Sequence, residues 1–354
     1  MAIRYQPVAL VTFAQALLRQ AGLETASARD VAEVLVEGDL LGKTTHGLAL
    51  LPAYLQNLES GKMTRRGAPK VVKKSAATLL LDAHYLPGPL VVRRALAWAM
   101  TRAKKHGVAT VSIRRCHHIA CLEAYLRAVT DHGLAILLMC SDPANAVVAP
   151  PHGRQGVYSP NPIGAGFPTL GEPILIDTTT SSHSNAQLAR KFRAKERCPF
   201  AALQTSAGAL TNDPAVMFTK PPGSILPVGG RDLGHKGFAF ALIVEALTNA
   251  LGGQGRAQKP ARWGASVWLQ VIDPGFFGGR AAFARETQFF AAACRKSRAR
   301  PREKIRLPGE VSLARRREQL RRGVELHPEI LPALRPWMEK LGVPPPTSLK
   351  PRRH

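Results

Sequence analysis

Two short segments carry the side chains best suited to proton transfer. A basic and histidine-containing run, 114–118, follows an apolar stretch at 108–113, and Asp142 follows a second apolar stretch at 134–140. If these stretches are adjacent parallel strands joined by a helix, both segments leave the same end of a sheet. That arrangement brings a histidine within reach of a carboxylate, a pairing typical of general acid–base catalysis.

Two other interpretations of the histidine segment stay open. Histidines in a polar loop are often structural, with no part in chemistry. Cys116 and Cys121 flank His117 and His118, which makes zinc binding a further alternative. Their spacing matches no structural zinc motif, so metal binding is not the predicted function.

A glycine-rich segment is a candidate anion site. Gly229-Gly230 precedes Gly234-His235-Lys236-Gly237, which we predict to open an apolar helix. Free backbone N–H groups and the dipole at a helix start favour an anion, and Lys236 adds a full charge. The same residues also fit a plain helix-entry turn. No GxGxxG or GxxxxGK[ST] motif is present, so neither a Rossmann nor a P-loop site is predicted.

A third candidate is the turn Thr45-His46-Gly47 between two predicted helices, although a lone histidine in a glycine turn is often structural.

Alternating helices and strands predict an α/β or α+β fold. The periodicity predicts helices near 8–20, 48–58 and 120–131, strands at 108–113, 134–140, 173–177 and 267–271, loops over 141–170, and helical structure from 283 onward.

The charge balance is strongly basic. The 354 residues include 49 basic and 24 acidic side chains, for a net charge of +25. Such a surface attracts polyanions, including nucleic acid, acidic lipid or a phosphate-bearing cofactor. The densest basic stretch, 294–322, has no interleaved aromatic residues to stack on bases. We therefore predict a solvated basic face and no nucleic-acid partner.

Composition also bears on the compartment. With 45% hydrophobic residues the chain is not of the disordered class. No apolar run approaches the ~20 residues that span a bilayer, so no membrane helix is predicted. Five irregularly spaced cysteines predict reduced thiols in a cytoplasmic protein. Leu10, Phe13 and Leu17 fall at helical spacing, which favours an amphipathic first helix over a signal peptide.

Several short motifs occur in a fixed order over about residues 5–340. They are Asp39…Gly42…Thr45-His46-Gly47…Tyr54, His117-His118-Ile119, Cys140-Ser141-Asp142-Pro143, Asn161-Pro162, Asp177…Thr180-Ser181 and Gly234-His235-Lys236-Gly237. In this combination the chain resembles the malate/L-lactate dehydrogenase family of NAD(P)-dependent oxidoreductases, which is distinct from the Rossmann lactate dehydrogenases.

The resemblance implies roles for the matching residues. His118 corresponds to the proton-transfer histidine, and Asp142 to the acid that orients it. The cofactor-binding positions are Ser141, Asp177, Gly234, Lys236 and Gly237. The substrate-binding positions are Thr45, His46 and Tyr54. The implied reaction is hydride transfer between NAD or NADP and a small 2-hydroxy or 2-oxo acid, or a cyclic imino acid.

The resemblance also implies an architecture. A helical domain is expected from both chain ends, 1–75 and 232–340, around a central non-Rossmann α/β cofactor-binding domain at 76–231. A basic, proline-rich tail follows at 341–354. The family pattern further implies a homodimer that acts on a carboxylate substrate.

The chain departs from the family pattern at several places, and two of them concern ligand binding. Leu50 stands where an arginine often holds the substrate carboxylate, and Arg114 or Arg115 are candidates to replace it. Asn185-Ala186-Gln187 stands where a small residue, glycine and lysine are usual. A second hypothesis therefore stays open, in which a catalytically impaired dehydrogenase-like scaffold binds polyanions through its basic face.

Overall fold

A computed structural model describes residues 3–349, in which helices and strands alternate. The helices are α1 Pro7–Gln20, α2 Thr25–Leu40, α3 Leu51–Glu59, α4 Gly88–His106, α5 Glu123–Thr130, α6 Asn185–Arg193, α7 Gly230–Glu245, α8 Arg280–Lys296, α9 Glu310–Arg322 and α10 Ile330–Leu341. The strands are β1 Arg4–Tyr5, β2 Lys70–Lys74, β3 Thr78–Asp82, β4 Val108–Cys116, β5 Ala135–Ser141, β6 Ile163–Phe167, β7 Ile174–Thr178, β8 Leu203–Gln204, β9 Leu210–Thr211, β10 Ser224–Ile225, β11 Ala265–Ile272 and β12 Val324–Glu325. The α/β prediction is confirmed, and the end of the predicted tail, 350–354, lies outside the described residues.

Seven strands form one mixed sheet in the order β2-β3-β4-β11-β5-β6-β7. The middle strand, β11, is almost entirely buried, as expected for a strand covered on both faces. The prediction that strands 108–113 and 134–140 are adjacent is wrong, because β11 lies between them. The stretch 232–340, predicted as part of a helical domain, supplies this central strand. The other predicted domain boundaries stay a prediction.

The ends of β4 and β5 nevertheless meet at one edge of the sheet. Both strands run antiparallel to β11, so they are parallel to each other. Cys116 at the end of β4 pairs with Ala265, and Ser141 at the end of β5 pairs with Ser266. The segments after these strands therefore start about 10 Å apart, two strand spacings.

Strand β6 corrects the prediction of loops throughout 141–170. Its sequence contains Gly164 and Gly166, which give no hydrophobic periodicity. A Cβ on Gly166 would lie 2.8 Å from the Thr130 side chain. The glycine allows α5 to pack directly on the strand, and this close packing leaves no pattern in the sequence.

The two ends of the chain pack together beside the sheet. Strand β1 pairs with β12, and α10 packs on α1 and α3. Leu10, Phe13 and Leu17 of α1 are buried, which confirms the amphipathic first helix. Within the described residues, no helix combines the length and apolar character needed to cross a bilayer.

A small second core supports α6. Strands β8, β9 and β10 form a three-stranded sheet. Leu188 of α6 is buried there with Val148, Leu203 and Ile225. This packing fixes the start of α6 beside the edge of the sheet where β4 and β5 end.

Candidate active site

A cavity of about 500 Å³ lies where β4 and β5 end, a volume within the usual range for small-molecule sites. Its wall combines the turn after α2, the segments that follow β4 and β5, and the start of α6. Of the predicted site residues, five contribute to the wall: Thr45, His46, His118, Asp142 and Asp177.

The ring of His118 is held at one nitrogen. The Tyr54 hydroxyl lies 3.0 Å from His118 Nδ1 and donates to the His118 carbonyl at 2.9 Å. The backbone N–H of Ala120 lies 3.3 Å from the same nitrogen. Burial, with smaller effects from two neighbouring histidines, lowers the pKa of His118 well below its usual value. The imidazole is therefore neutral near pH 7, the form that accepts a proton.

Tyr54, predicted as a substrate-binding residue, does not line the cavity. It is fully buried in α3, beneath His118. Asp142 lines the cavity but its carboxylate accepts from the backbone of Ala144 at 3.0 Å and makes no hydrogen bond to His118. The hydrogen bond to the His118 ring that was predicted for Asp142 is therefore made by Tyr54. Burial raises the pKa of Asp142 to about 6.

The neighbouring His117 points away from the cavity. It is fully buried, and neither ring nitrogen has a partner among the described residues. Burial lowers its pKa to about 3. Its ring packs edge-on against Tyr54 at 5.3 Å between centroids, so it is a neutral packing residue. Within residues 3–349, no three potential metal ligands cluster together.

A buried carboxylate holds the turn that carries His46. Asp39 accepts from the backbone of Leu48 at 2.7 Å. A Cβ on Gly47 would lie 2.4 Å from that carboxylate, so only glycine fits there. Thr45 Oγ1 lies 2.9 Å from His46 Nδ1, which leaves the other side of the ring to the cavity.

The cavity has one permanent cation among its described lining residues, Lys43. Its Nζ lies 3.1 Å from Glu123, and Asp177 is a second nearby carboxylate. Leu50 also lines the wall. The predicted replacements for the missing arginine are wrong, because Arg114 and Arg115 pair with Asp82 and lie outside the cavity.

Four predicted cofactor residues lie off the wall. Ser141 is fully buried, bonded to Glu245 at 2.8 Å. Helix α7 begins at Gly230, so Gly234 and Gly237 lie inside it and do not form its start. A Cβ on Gly237 would lie 2.5 Å from the backbone of Val228, so this glycine serves close packing. Lys236 is exposed on the same helix.

The helix start that does reach the cavity is that of α6. Ser184 and Gln187 form a capping box, each side chain accepting from the other's backbone. Among the described residues, the backbone N–H groups of Asn185 and Ala186 have no partner, and both residues line the cavity. Two free donors at a helix start fit an anion such as phosphate. The capping-box spacing was readable from the sequence, but it does not indicate a cavity.

Residues 5–335 match the sequence model of the malate/L-lactate dehydrogenase family. The chain belongs to this family. The predicted resemblance is confirmed, and family membership makes the protein an oxidoreductase of the dehydrogenase and reductase class, as expected.

Relatives in this family cover almost the whole chain. Hydroxycarboxylate dehydrogenase B of Escherichia coli (strain K12) is 29% identical over 348 residues, 96% of this chain and 95% of that protein. A Delta(1)-pyrroline-2-carboxylate reductase of Ancylobacter novellus is 30% identical over 302 residues, 82% of this chain and 84% of that one. The solved structure of sulfolactate dehydrogenase from Methanocaldococcus jannaschii has a TM-score of 0.85 at 26% identity, covering 96% of this chain and 98% of that one.

The sequence did not predict two residues of the cavity wall, Lys43, described above, and Trp263, which stacks on His118 at 4.8 Å between ring centroids. It also did not predict Arg256, which lies off the wall and binds Glu245 at 2.8 Å. Lys43 lies beside the Thr45-His46-Gly47 motif, and its charge was a readable signal. Trp263 and Arg256 lie in an irregular segment whose sequence carries no periodicity.

Stability should depend on the ionisation of Asp39. Burial raises its pKa from 3.8 to about 7. The unfolded chain therefore loses this proton first as pH rises, and the folded state is progressively destabilised between pH 4 and 7. Each pKa unit is worth about 1.4 kcal/mol. Asp39→Asn keeps an acceptor for the Leu48 N–H without this ionisation.

We expect the free energy of unfolding of Asp39→Asn, relative to the native chain, to increase from about pH 4 to about pH 7. Urea titrations at several pH values measure it. Asp131→Asn, which alters an exposed carboxylate, is the matched control. A difference that is the same at every pH would contradict the ionisation of buried Asp39.

Proposed function

We propose that the protein transfers a hydride between a nicotinamide dinucleotide and a small 2-hydroxy or 2-oxo acid, or a cyclic imino acid. The observation that carries the proposal is the imidazole of His118, held at Nδ1 by Tyr54 and exposed to the cavity. The names of the relatives support the substrate range, since they include a hydroxycarboxylate dehydrogenase and a pyrroline-2-carboxylate reductase.

In this proposal His118 is the general acid and base. Tyr54 and the backbone N–H of Ala120 hold the ring at Nδ1. During oxidation the neutral imidazole accepts the substrate hydroxyl proton and becomes an imidazolium. In the reverse direction the imidazolium returns that proton to the forming hydroxyl. Asp142 lies on the wall of the same cavity.

The cofactor is proposed to be NAD or NADP, which when bound supplies or accepts the hydride. The free N–H groups of Asn185 and Ala186 suit one of its phosphates, and Asp177 borders the same part of the wall. Lys236, Gly234, Gly237 and Ser141, which the family resemblance implies as cofactor residues, lie off this wall.

The substrate carboxylate is proposed to bind Lys43. An ammonium group has three N–H donors, so the contact with Glu123 leaves two of them for a ligand. The Lys43 side chain is one-third exposed, and the neighbouring Leu50 is apolar. Lys43 is thus the cation in the described wall that replaces the arginine absent at position 50.

The protein is proposed to be a homodimer. Helix α7 leaves four large apolar side chains about half exposed, and three of them, Leu233, Phe240 and Ile243, are spaced so that they share one face of the helix. Exposed apolar side chains grouped on one helix face are typical of a protein interface. A second copy that covers this helix is the simplest occupant.

A cytoplasmic location is also proposed. All five cysteines are free thiols, three of them buried. Free thiols persist in a reducing compartment. Cell fractionation tests the proposal, and recovery only in a secreted fraction would contradict it.

His118→Gln should lower turnover with 2-oxo or cyclic imino acids by about 10²–10⁴-fold, because the proton donor and acceptor is lost. NADH and NADPH oxidation measures it, and fluorescence titration of both cofactors should give unchanged binding. His132→Gln, an exposed histidine, is the control.

Turnover of His118→Gln at the native rate would contradict the role of His118. Failure of the native protein to bind either cofactor at low salt would instead favour the polyanion-binding hypothesis. The structure bears on that alternative, because Arg295, Arg316 and Arg317 of the basic stretch are engaged in ion pairs.

Lys43→Met should raise the KM for the carboxylate substrate by about 10–100-fold, the worth of one charged hydrogen bond. Lys43→Arg should retain most of the affinity, and cofactor binding should be unchanged in both. Lys62→Met removes an exposed lysine and serves as the control. An unchanged KM in Lys43→Met would show that the carboxylate binds elsewhere.

Light scattering should give the mass of two chains for the native protein. Phe240→Glu places a charge in the proposed interface and should give the mass of one chain. A monomeric native protein would contradict the dimer.

A further inference from the structure

The indole of Trp263 covers one face of the His118 ring. The two ring centroids lie 4.8 Å apart with an angle of 29° between planes, a stacked arrangement. The same indole packs edge-on against His117 at 4.9 Å and against Tyr54 at 5.9 Å. Trp263 also lines the cavity, so its ring separates His118 from part of the solvent.

The segment that carries Trp263 is fixed at both ends. At its start, Arg256 binds Glu245 at 2.8 Å and donates to the carbonyl of Asn145 at 2.6 Å. At its end, a Cβ on Gly264 would lie 2.7 Å from the carbonyl of Cys116, so the backbone lies directly on the end of β4. The indole is therefore held against the imidazole by the fold, and its position does not depend on its own side chain alone.

Tyr54 alone does not determine the orientation of His118. A hydrogen bond at Nδ1 fixes one point of the ring and leaves rotation of the ring plane about that point. A stacked aromatic face restricts that rotation. The point contact and the stacked face together define where Nε2 lies.

We propose that Trp263 is a positioning residue for His118, which sets the plane of its ring and excludes water from one face. The inference rests on the proposed acid–base role of His118. Trp263 acts through His118 and takes no part in the proton transfer itself.

No other described group around His118 stacks on its ring as Trp263 does. Tyr54 approaches from α3, His46 from the turn after α2 at 6.0 Å between ring centroids, and His117 from the same segment. The remaining ionisable groups of the described wall are Lys43, Asp142, Asp177, Cys121 and Cys140. None of these presents a flat apolar face to the imidazole, so Trp263 has no substitute.

The variants Trp263→Phe and Trp263→Leu separate stacking from simple volume. Phenylalanine retains a flat face, and we expect kcat within about threefold of native. Leucine retains apolar volume without a face, and we expect kcat to fall by about 10–100-fold, as for a misplaced catalytic group. Trp337→Leu, a half-buried tryptophan of α10 outside the cavity, is the control for general destabilisation.

The pH dependence of substrate oxidation is a measurement that a purely structural role of Trp263 would leave unchanged. Cover by Trp263 contributes to the burial that lowers the pKa of His118. Its loss admits water, so the acid limb of substrate oxidation should move to higher pH in Trp263→Leu and stay in place in Trp263→Phe. Native kcat and an unmoved limb in Trp263→Leu would overturn the proposal. Equal losses in both variants would overturn it as well.

A fluorescence titration tests the contact without turnover. A protonated imidazole quenches a stacked indole, so native fluorescence should fall as His118 gains its proton. The fall should vanish in both Trp263→Phe and His118→Gln, and its persistence in either would overturn the stacking. Full turnover of His118→Gln would remove the proposed function itself, whatever the result at Trp263.

Discussion

The site depends on one buried hydroxyl. Tyr54 lies in the helical part of the protein, whereas His118 follows a strand of the central sheet. Their hydrogen bonds join the two parts at the point where the chemistry is proposed. A fully buried tyrosine must satisfy its hydroxyl, and the His118 nitrogen and carbonyl do so together. The packing of α3 against the sheet edge therefore fixes the position of the imidazole.

A second constraint is the ion pair between Arg256 and Glu245. Burial by itself would raise the pKa of Glu245, but hydrogen bonds from Arg256 outweigh it and lower that pKa. Asn161 and Asn249 donate to the same carboxylate at 2.9 and 2.6 Å. A buried pair is costly unless its hydrogen bonds are satisfied, and here they are. The pair joins the end of α7 to the segment that carries Trp263.

The sequence predicted that His118 lies at the edge of the sheet where β4 and β5 end, and the structure has it in the cavity at that edge. Polar residues directly after apolar strands mark such an edge, and the family motifs selected His118 over His117. The prediction that β4 and β5 are adjacent was wrong because β11, from a distant part of the chain, lies between them. No local sequence pattern encodes the order of strands in a sheet. Lys236, which the family resemblance implies as a cofactor residue, does not line the cavity. The reason is that α7 begins at Gly230, four residues before Gly234, so that Lys236 lies within the helix and not at its start.

Contacts between distant segments explain what the sequence did not predict. Tyr54 was identified from its motif, but its burial beneath His118 follows from the packing of α3. Trp263 lies 145 residues beyond His118, in a segment without periodicity. Lys43 is a different case from Trp263, because the sequence itself places it three residues before His46. Only the structure shows that both residues line the same wall of the cavity.

The most direct test of the account is a ¹⁵N NMR titration of the histidine side chains, with His118 assigned by its loss in His118→Gln. We expect the pKa of His118 to lie below the ordinary histidine value of about 6.5, so that its chemical shifts are those of a neutral imidazole at pH 6.5 and above. Half-protonation of His118 at or above about pH 6.5 would contradict a buried imidazole that is neutral and ready to accept a proton.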